Sequence, residues 1–150
     1  MTGRHPRIAQ ECVEGYLFVR RPFQVLLFRR PPSRGRIWVP ISGKVDPSDR
    51  NLSTALRREI EEETGLTRLR HVAPMRWVFR WRGSDGGVWR LHAFAVELPS
   101  RRTPRLSDEH DAFEWLEPSV AVTRLHYRDN RAALRRLMRT ARRRGPTRKG

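Results

Sequence analysis

The chain has 150 residues, of which 37% are hydrophobic, and this size and composition are typical of one compact domain. The 32 Lys and Arg residues outnumber the 16 Asp and Glu residues and give a formal net charge of +16, which favours anionic partners. A proteome-wide bias towards arginine would explain so diffuse a charge equally well. The single Cys12 excludes an intramolecular disulfide, and no apolar run is long enough for a signal peptide or a membrane span. We expect one cytoplasmic domain over residues 1–150 that does not enter a membrane.

Short β-rich segments make up the first part of the chain. Two neighbouring strands are predicted over residues 14–19 and 24–28, with a turn between them. A loop follows, and residues 37–41 form a further extended piece that Pro40 interrupts. The first clear helix runs from Leu52 or Ser53 to Thr64 and ends at Gly65, a residue that accepts the left-handed conformation at a helix end.

The second half of the chain predicts a hairpin, a short strand and a final helix. The strands cover residues 70–80, 89–98 and 113–116, and the helix covers residues 129–143. Tryptophans alternate along the hairpin strands, a pattern more typical of core or sheet surface than of base binding: Trp77, Trp81 and Trp89. From about residue 142 the chain becomes a basic tail, which could contact nucleic acid without sequence specificity.

Three glutamates of the first helix are predicted to crowd one face, beside a core stripe formed by Leu52, Leu56 and Ile60. At about 100° per residue, these glutamates are Glu59, Glu62 and Glu63. Like charges repel, and burial increases the cost unless a cation neutralises them. A divalent ion such as Mg²⁺ or Mn²⁺ suits carboxylate oxygens, and it would orient phosphates and activate water. Taken alone, such a run is also typical of a solvated acidic face that pairs with nearby arginines.

Residues 58–66 read Arg-Glu-Ile-Glu-Glu-Glu-Thr-Gly-Leu, and Gly43 lies upstream of them. This pattern resembles the signature of the Nudix hydrolase family, G-x5-E-x7-R-E-U-x-E-E-x-G-U, in which U is a bulky aliphatic residue. The segment matches the second half at every fixed position. In the first half, Asp49 stands where the family has Glu, and the stretch from there to Arg58 is one residue longer. Because the early carboxylate orients the arginine in this family, the resemblance implies an ion pair between Asp49 and Arg58.

The resemblance continues over roughly residues 14–138. Residues 37–43 resemble the strand and turn that precede the signature, and residues 106–116 and 129–134 resemble the distal segment and the final helix. The pattern is most like the group of dATP pyrophosphohydrolases and dihydroneopterin triphosphate diphosphatases. The diadenosine tetraphosphate hydrolases share several of the same features.

The resemblance also implies a role for each candidate site residue. The implied metal ligands are Glu59, Glu63, Glu109 and the backbone carbonyl of Ser42. Glu62 would be a further ligand or the base that activates water, while Arg58 would organise the site, since a guanidinium stays protonated. From their place at a strand end, Arg29 and Arg30 could bind phosphates in a bidentate manner, although two solvated arginines would be unremarkable in so basic a chain.

The expected fold is the α/β/α sandwich of the family, with a mixed sheet between the glutamate helix and the C-terminal helix. The expected activity is Mg²⁺-dependent attack of water on a phosphoanhydride of a nucleoside or pterin triphosphate, which releases pyrophosphate. A diadenosine polyphosphate is the alternative substrate. A non-catalytic module that binds RNA or nucleotides, and an enzyme that processes RNA 5′ ends, are two further hypotheses. Neither the exact substrate nor the oligomeric state follows from the sequence.

Overall fold

The computed structural model describes residues 7–144, with side chains to residue 141, and this part of the chain forms seven strands and three α-helices. The strands are β1 (Ile8–Arg20), β2 (Phe23–Arg29), β3 (Trp38–Val39), β4 (Ile41–Lys44), β5 (His71–Arg82), β6 (Val88–Glu97) and β7 (Ala112–Leu116). The helices are α1 (Leu52–Thr64), α2 (Pro118–Arg124) and α3 (Arg128–Arg144), and a short 3₁₀ turn spans Pro32–Arg34.

All seven strands belong to one mixed sheet with β1 at its centre. β1 pairs in parallel with β6, from Ile8 opposite Val88 to Phe18 opposite Glu97, and β6 pairs antiparallel with the edge strand β5. On its other side β1 pairs antiparallel with β2 and β4, and β2 also pairs with β3 and β7. The predicted mixed sheet is confirmed.

β1 and β2 diverge, and the segment from β3 to β4 fills the gap between them. β2 meets β1 through residues 23–26, whereas Phe28 and Arg29 pair with β3. The earlier part of β1, residues 12–15, pairs with β4 instead. Pro40 lies between the two pairings, where a residue without a backbone N–H is tolerated because the chain changes partner. β1 and β2 are thus separated at the end of the sheet where β4 leads into the loop before α1.

Apolar side chains cover both faces of the sheet. On one face, Val13 and Leu17 of β1 pack with Leu56 of α1 in a buried cluster. On the other face, Tyr16 of the same strand packs with Leu134 of α3 and with residues of α2. Successive side chains of a strand point to opposite faces, so a strand covered on both sides must be apolar at nearly every position. The predicted α/β/α sandwich is confirmed.

The predicted bounds of α1 are confirmed at both ends. Asn51 precedes the helix, and its side-chain oxygen accepts a hydrogen bond from the backbone N–H of Thr54 at 2.8 Å. Gly65 follows the helix with φ of 72°, the left-handed conformation expected there. Within the helix Leu56 and Ile60 are fully buried, which fixes the rotation of α1 on the sheet.

Two features differ from the sequence prediction. β1 begins at Ile8, earlier than predicted, because its first part, which includes the polar Gln10 and Glu11, still pairs with β6. α2 was not predicted, since it has only seven residues and a proline at its start, too short for a helical period to be visible. α3 continues to Arg144, and the rest of the predicted basic tail lies outside the described residues. Across residues 7–144, no helix is long and apolar enough to cross a bilayer.

The Asn51 cap leads to a stability prediction. Asn51→Ala removes the acceptor for the Thr54 N–H and should lower the free energy of unfolding by about 1 kcal/mol, or the melting temperature by roughly 3 °C. Thr54→Ala is the matched control, because the exposed Thr54 side chain is removed while its backbone N–H still donates to Asn51. Equal losses in both variants, measured by thermal and urea unfolding, would contradict the cap assignment.

Candidate active site

A cleft of about 740 Å³ opens at the end of the sheet where β1 and β2 diverge. One wall is the inner face of α1 together with β4, and the opposite wall is formed by the 3₁₀ turn and the segment that leads into α3. The ends of β5 and β6 close the third side, and β1 supplies the floor. Strands β1, β3, β4, β5 and β6 and helices α1 and α3 all contribute residues to this cleft.

Glu59 and Glu63 of α1 project into the cleft and lie side by side. The Glu59 side chain is only 13% exposed and Glu63 only 7%, and the two residues lie one helical turn apart on the face of α1 that lines the cleft. Gly43 of β4 allows this close approach, because a Cβ at that position would lie 2.1 Å from the Glu59 carboxyl carbon. A glycine at this position is thus a steric requirement of the site.

The electrostatics of this pair are unfavourable without a cation. Burial, together with the negative charges of Glu59 and Glu109, raises the pKa of Glu63 to about 8. Burial also raises the pKa of Glu59, although Arg58 opposes this shift. The Oε2 atom of Glu63 is buried and has no hydrogen-bond partner. An unpartnered carboxylate oxygen beside a second carboxylate has the hard-oxygen chemistry that Mg²⁺ or Mn²⁺ prefers, so these residues fit a divalent ion.

Arg58 links the glutamates to the loop before the helix. Its guanidinium donates to both Asp49 oxygens, at 3.1 Å and 2.8 Å, and the Asp49 side chain is only 4% exposed. The same guanidinium donates to Glu59 at 3.0 Å and to the backbone carbonyl of Lys44 at 3.2 Å. The hydrogen bonds from Arg58 hold the pKa of Asp49 below its usual range. The expected ion pair between Asp49 and Arg58 is confirmed, despite the shorter side chain and the extra residue.

The other two predicted acids lie less deeply. Glu62 is 57% exposed and accepts from Arg58 at 3.3 Å, at the rim rather than in the lining of the cleft. Glu109 lines the cleft opposite α1, where its carboxylate accepts a hydrogen bond from Arg34. Within residues 7–144, no three Asp, Glu, His or Cys side chains are already grouped around a point that could hold an ion. The structure thus brings Glu59 and Glu63 together, and it places Glu109 across the cleft from them.

The two arginines predicted to bind phosphate lie in different surroundings. Arg30 lines the cleft, whereas Arg29 is not among the lining residues and forms an ion pair with Asp111 at 2.8 Å. Arg34 of the 3₁₀ turn, which the sequence did not single out, also lines the cleft. Ser42 also lines the cleft, beside Gly43.

Aromatic side chains at opposite sides of the cleft were missed as site residues. Trp81 is 42% exposed, and its ring centroid lies 6.0 Å from that of Trp89. The Nζ atom of Lys44 lies 5.0 Å from the centroid of the Trp89 ring. Tyr127 on the other side is 45% exposed, and the Arg30 guanidinium lies 5.8 Å from the centroid of its ring. The alternation of the tryptophans was visible in the sequence, but only the fold shows that it ends at a cleft.

A buried polar group also lies at the cleft floor, and no sequence signal pointed to it. Glu14 of β1 is 4% exposed and accepts hydrogen bonds from the Tyr16 hydroxyl at 2.9 Å and from Asn130 Nδ2 at 2.8 Å. Burial raises the pKa of Glu14 to about 7, while the bonds from Tyr16 and Asn130 act in the opposite direction. In sequence, Glu14 reads only as a polar residue within a strand.

The fold and the cleft agree with the sequence relationships of the chain. Residues 15–138 match the NUDIX domain, so the chain belongs to the Nudix hydrolase family. It is 30% identical over 105 residues to the asymmetrical bis(5'-nucleosyl)-tetraphosphatase of Rattus norvegicus. The aligned residues cover 65% of this chain and 67% of that protein.

Two further relatives extend the comparison. The chain is 34% identical over 114 residues to an octanoyltransferase of Myxococcus xanthus, covering 75% of this chain but only 32% of that protein. The chain thus spans about a third of the length of that relative. The E. coli dihydroneopterin triphosphate pyrophosphohydrolase structure superposes with a TM-score of 0.75 at 17% identity, covering 89% of this chain and 99% of that one. At this identity the likeness concerns the fold.

The glutamate pair leads to a binding prediction. Glu63→Gln should keep the fold but weaken Mg²⁺ binding by tenfold or more, since even groups that only support metal ligands are worth about 10–100-fold in affinity. Glu61→Gln is the matched control, because Glu61 is an exposed acid on the same helix and is outside the cleft. Calorimetric titration with Mg²⁺ measures both affinities. Equal affinity in the two variants would contradict a cation site at Glu63.

Proposed function

We propose that this enzyme splits a phosphoanhydride bond of a nucleoside or pterin triphosphate and releases pyrophosphate, with Mg²⁺ or Mn²⁺ as the cofactor. The observation that carries the proposal is the buried pair of Glu59 and Glu63, with one carboxylate oxygen unpartnered, in a cleft that also holds Arg30 and Arg34. Acceptors for a cation and donors for an anion thus face each other across one space. A metal-bridged polyphosphate has this distribution of charge.

The proposed metal ligands are Glu59, Glu63, Glu109 and the backbone carbonyl of Ser42. A divalent ion held there would neutralise phosphate charge and lower the pKa of a bound water. Glu109 would have to exchange its contact with Arg34 for the ion, which would free the Arg34 guanidinium for a phosphate. Within residues 7–144, no three acidic side chains are grouped around one point, which is consistent with a site that Glu109 joins only when the ion binds.

The remaining residues would orient the reactants and accept a proton. Glu62 is the proposed base, because its exposed carboxylate lies at the cleft rim and is held by Arg58. Arg58 itself would keep Glu59 in place through its 3.0 Å hydrogen bond, and it cannot act as a base. Arg30 would bind a phosphate, since it lines the cleft with no acidic partner of its own among the described hydrogen bonds. Arg29, which pairs with Asp111, is the weaker candidate.

A dinucleoside polyphosphate is the second candidate substrate. The rat relative is named as a tetraphosphatase of this kind, and the cleft presents an exposed aromatic side chain on each of two opposite sides, Trp81 and Tyr127. A substrate with two bases could use both rings for stacking. RNA binding through the basic tail and the cytoplasmic location stay predictions, because the structure describes no contact that bears on either.

The test of the proposed function is a substrate panel. Dihydroneopterin triphosphate, dATP, GTP and a diadenosine tetraphosphate are incubated with and without Mg²⁺, and the products are identified by mass. A triphosphate substrate should give a monophosphate and pyrophosphate, whereas a dinucleoside substrate should give two nucleotides. Glu63→Gln should abolish the Mg²⁺-dependent turnover and Glu61→Gln should retain it. Full activity of Glu63→Gln, or no turnover of any compound, would refute the proposal.

The arginine assignment has its own test. Arg30→Gln should raise KM by about tenfold, the value of roughly one hydrogen bond to a charged group, and should leave the melting temperature close to that of the wild type. The neighbouring Arg29→Gln should change KM less than about twofold. Steady-state kinetics on the best substrate of the panel compares the two. A larger KM effect at Arg29 would reverse the assignment.

A further inference from the structure

The group at the cleft floor has more hydrogen-bond acceptors than donors. Glu14 receives one bond to each carboxylate oxygen, from the neutral side chains of Tyr16 and Asn130. In its ionised form, which additional N–H donors would favour against the effect of burial, the carboxylate offers about four acceptor positions, so about half of them are unused. The Oδ1 atom of Asn130 is also buried and without a partner. Glu14 and Asn130 both line the cleft, so N–H donors on a ligand would complete this group.

A flat stacking surface lies next to these acceptors. Tyr127 immediately precedes α3, and its backbone carbonyl accepts the first helical hydrogen bond, from the N–H of Arg131. Tyr127 therefore lies about one helical turn before Asn130. Its ring is 45% exposed at the cleft. Stacking on an aromatic ring combined with hydrogen bonds along one edge is the general way in which proteins bind a heterocyclic base. The floor of the cleft therefore has both parts of a base-binding site.

We infer that Glu14, assisted by Asn130, binds the edge of the substrate's heterocycle and selects a 2-amino-4-oxo ring, as in guanine or pterin, over adenine. Guanine and pterin present a ring N–H beside an amino group, so both donors can reach one carboxylate. Adenine presents a ring nitrogen acceptor beside its amino group, which would face the carboxylate lone pairs without a proton between them. The inference rests on the proposed function, since it names the base bound at the same site.

A purely structural role for Glu14 makes a different prediction. Its bonds to Tyr16 and Asn130 also join β1 to the start of α3, so replacing it could weaken the whole cleft. Such damage would lower turnover of all substrates alike. Direct contact with the base would instead change the ratio between substrates, because only the edge of the ring differs between them.

The test measures kcat/KM with Mg²⁺ for GTP, dihydroneopterin triphosphate, ITP and ATP. The wild type should prefer GTP or dihydroneopterin triphosphate to ATP by about tenfold or more, the discrimination expected from one bidentate contact. ITP, which lacks the 2-amino group of guanine, should fall between GTP and ATP. The relative rates of GTP and dihydroneopterin triphosphate show which of the two ring systems is the better substrate.

Glu14→Gln should reduce the ratio of GTP to ATP by about tenfold and remove the difference between GTP and ITP. Glu61→Gln is the matched control, because it makes the same change at an exposed acid outside the cleft lining and should leave both ratios unchanged. Should Glu14→Gln fail to fold, metal-free calorimetry on the wild type still tests the contact. GMP should then bind more tightly than IMP and AMP.

An unchanged ratio in folded Glu14→Gln, or equal binding of the three monophosphates, would overturn the inference and leave the proposed hydrolysis intact. The absence of turnover of any compound would instead overturn the proposed function. In that case tighter binding of GMP would still support the contact at Glu14.

Discussion

Two carboxylates that repel each other are held together in a place where water cannot easily screen them. Glu59 and Glu63 are kept there by the packing of α1, whose buried Leu56 and Ile60 fix the rotation of the helix on the sheet. The free energy of that packing offsets the cost of the buried charges, which shows in the raised pKa of Glu63. The apolar side of one helix thus maintains the affinity of its other side for a cation.

The sheet determines what faces this pair. Because β1 and β2 diverge, the segment around Pro40 can bring Ser42 and Gly43 up to the helix. The same divergence leaves room for Arg30 and Arg34 on the far side, so these arginines line the same cleft as Glu59 and Glu63 without an ion pair to either. Arg58 and Asp49 then secure the loop that joins the strand to the helix. The large excess of positive charge on the chain adds a field that attracts anions towards this cleft.

Much of the fold and part of the site could be predicted from the sequence. Helical spacing and the end residues gave the bounds of α1, and the match of residues 58–66 to a known signature gave the family and the sandwich. Spacing alone placed Glu62 on the same face as Glu59 and Glu63, but the structure shows it at the rim, because its edge of the helix turns towards Arg58 and solvent. Glu14, Tyr127 and Arg34 could not be found, since residues far apart in sequence converge only through the sheet.

The absence of a side chain at Gly43 has a consequence for how sharply this centre is defined. A Cβ at this position would overlap the Glu59 side chain, so any larger residue would push the Glu59 carboxylate away from its present place. The position of the Glu59 carboxylate therefore depends on the missing side chain of the strand as well as on the helix that carries it. Of the proposed ligands, Glu59 and Glu63 are thus already in place, whereas Glu109 is still paired with Arg34 and must move before it can join them.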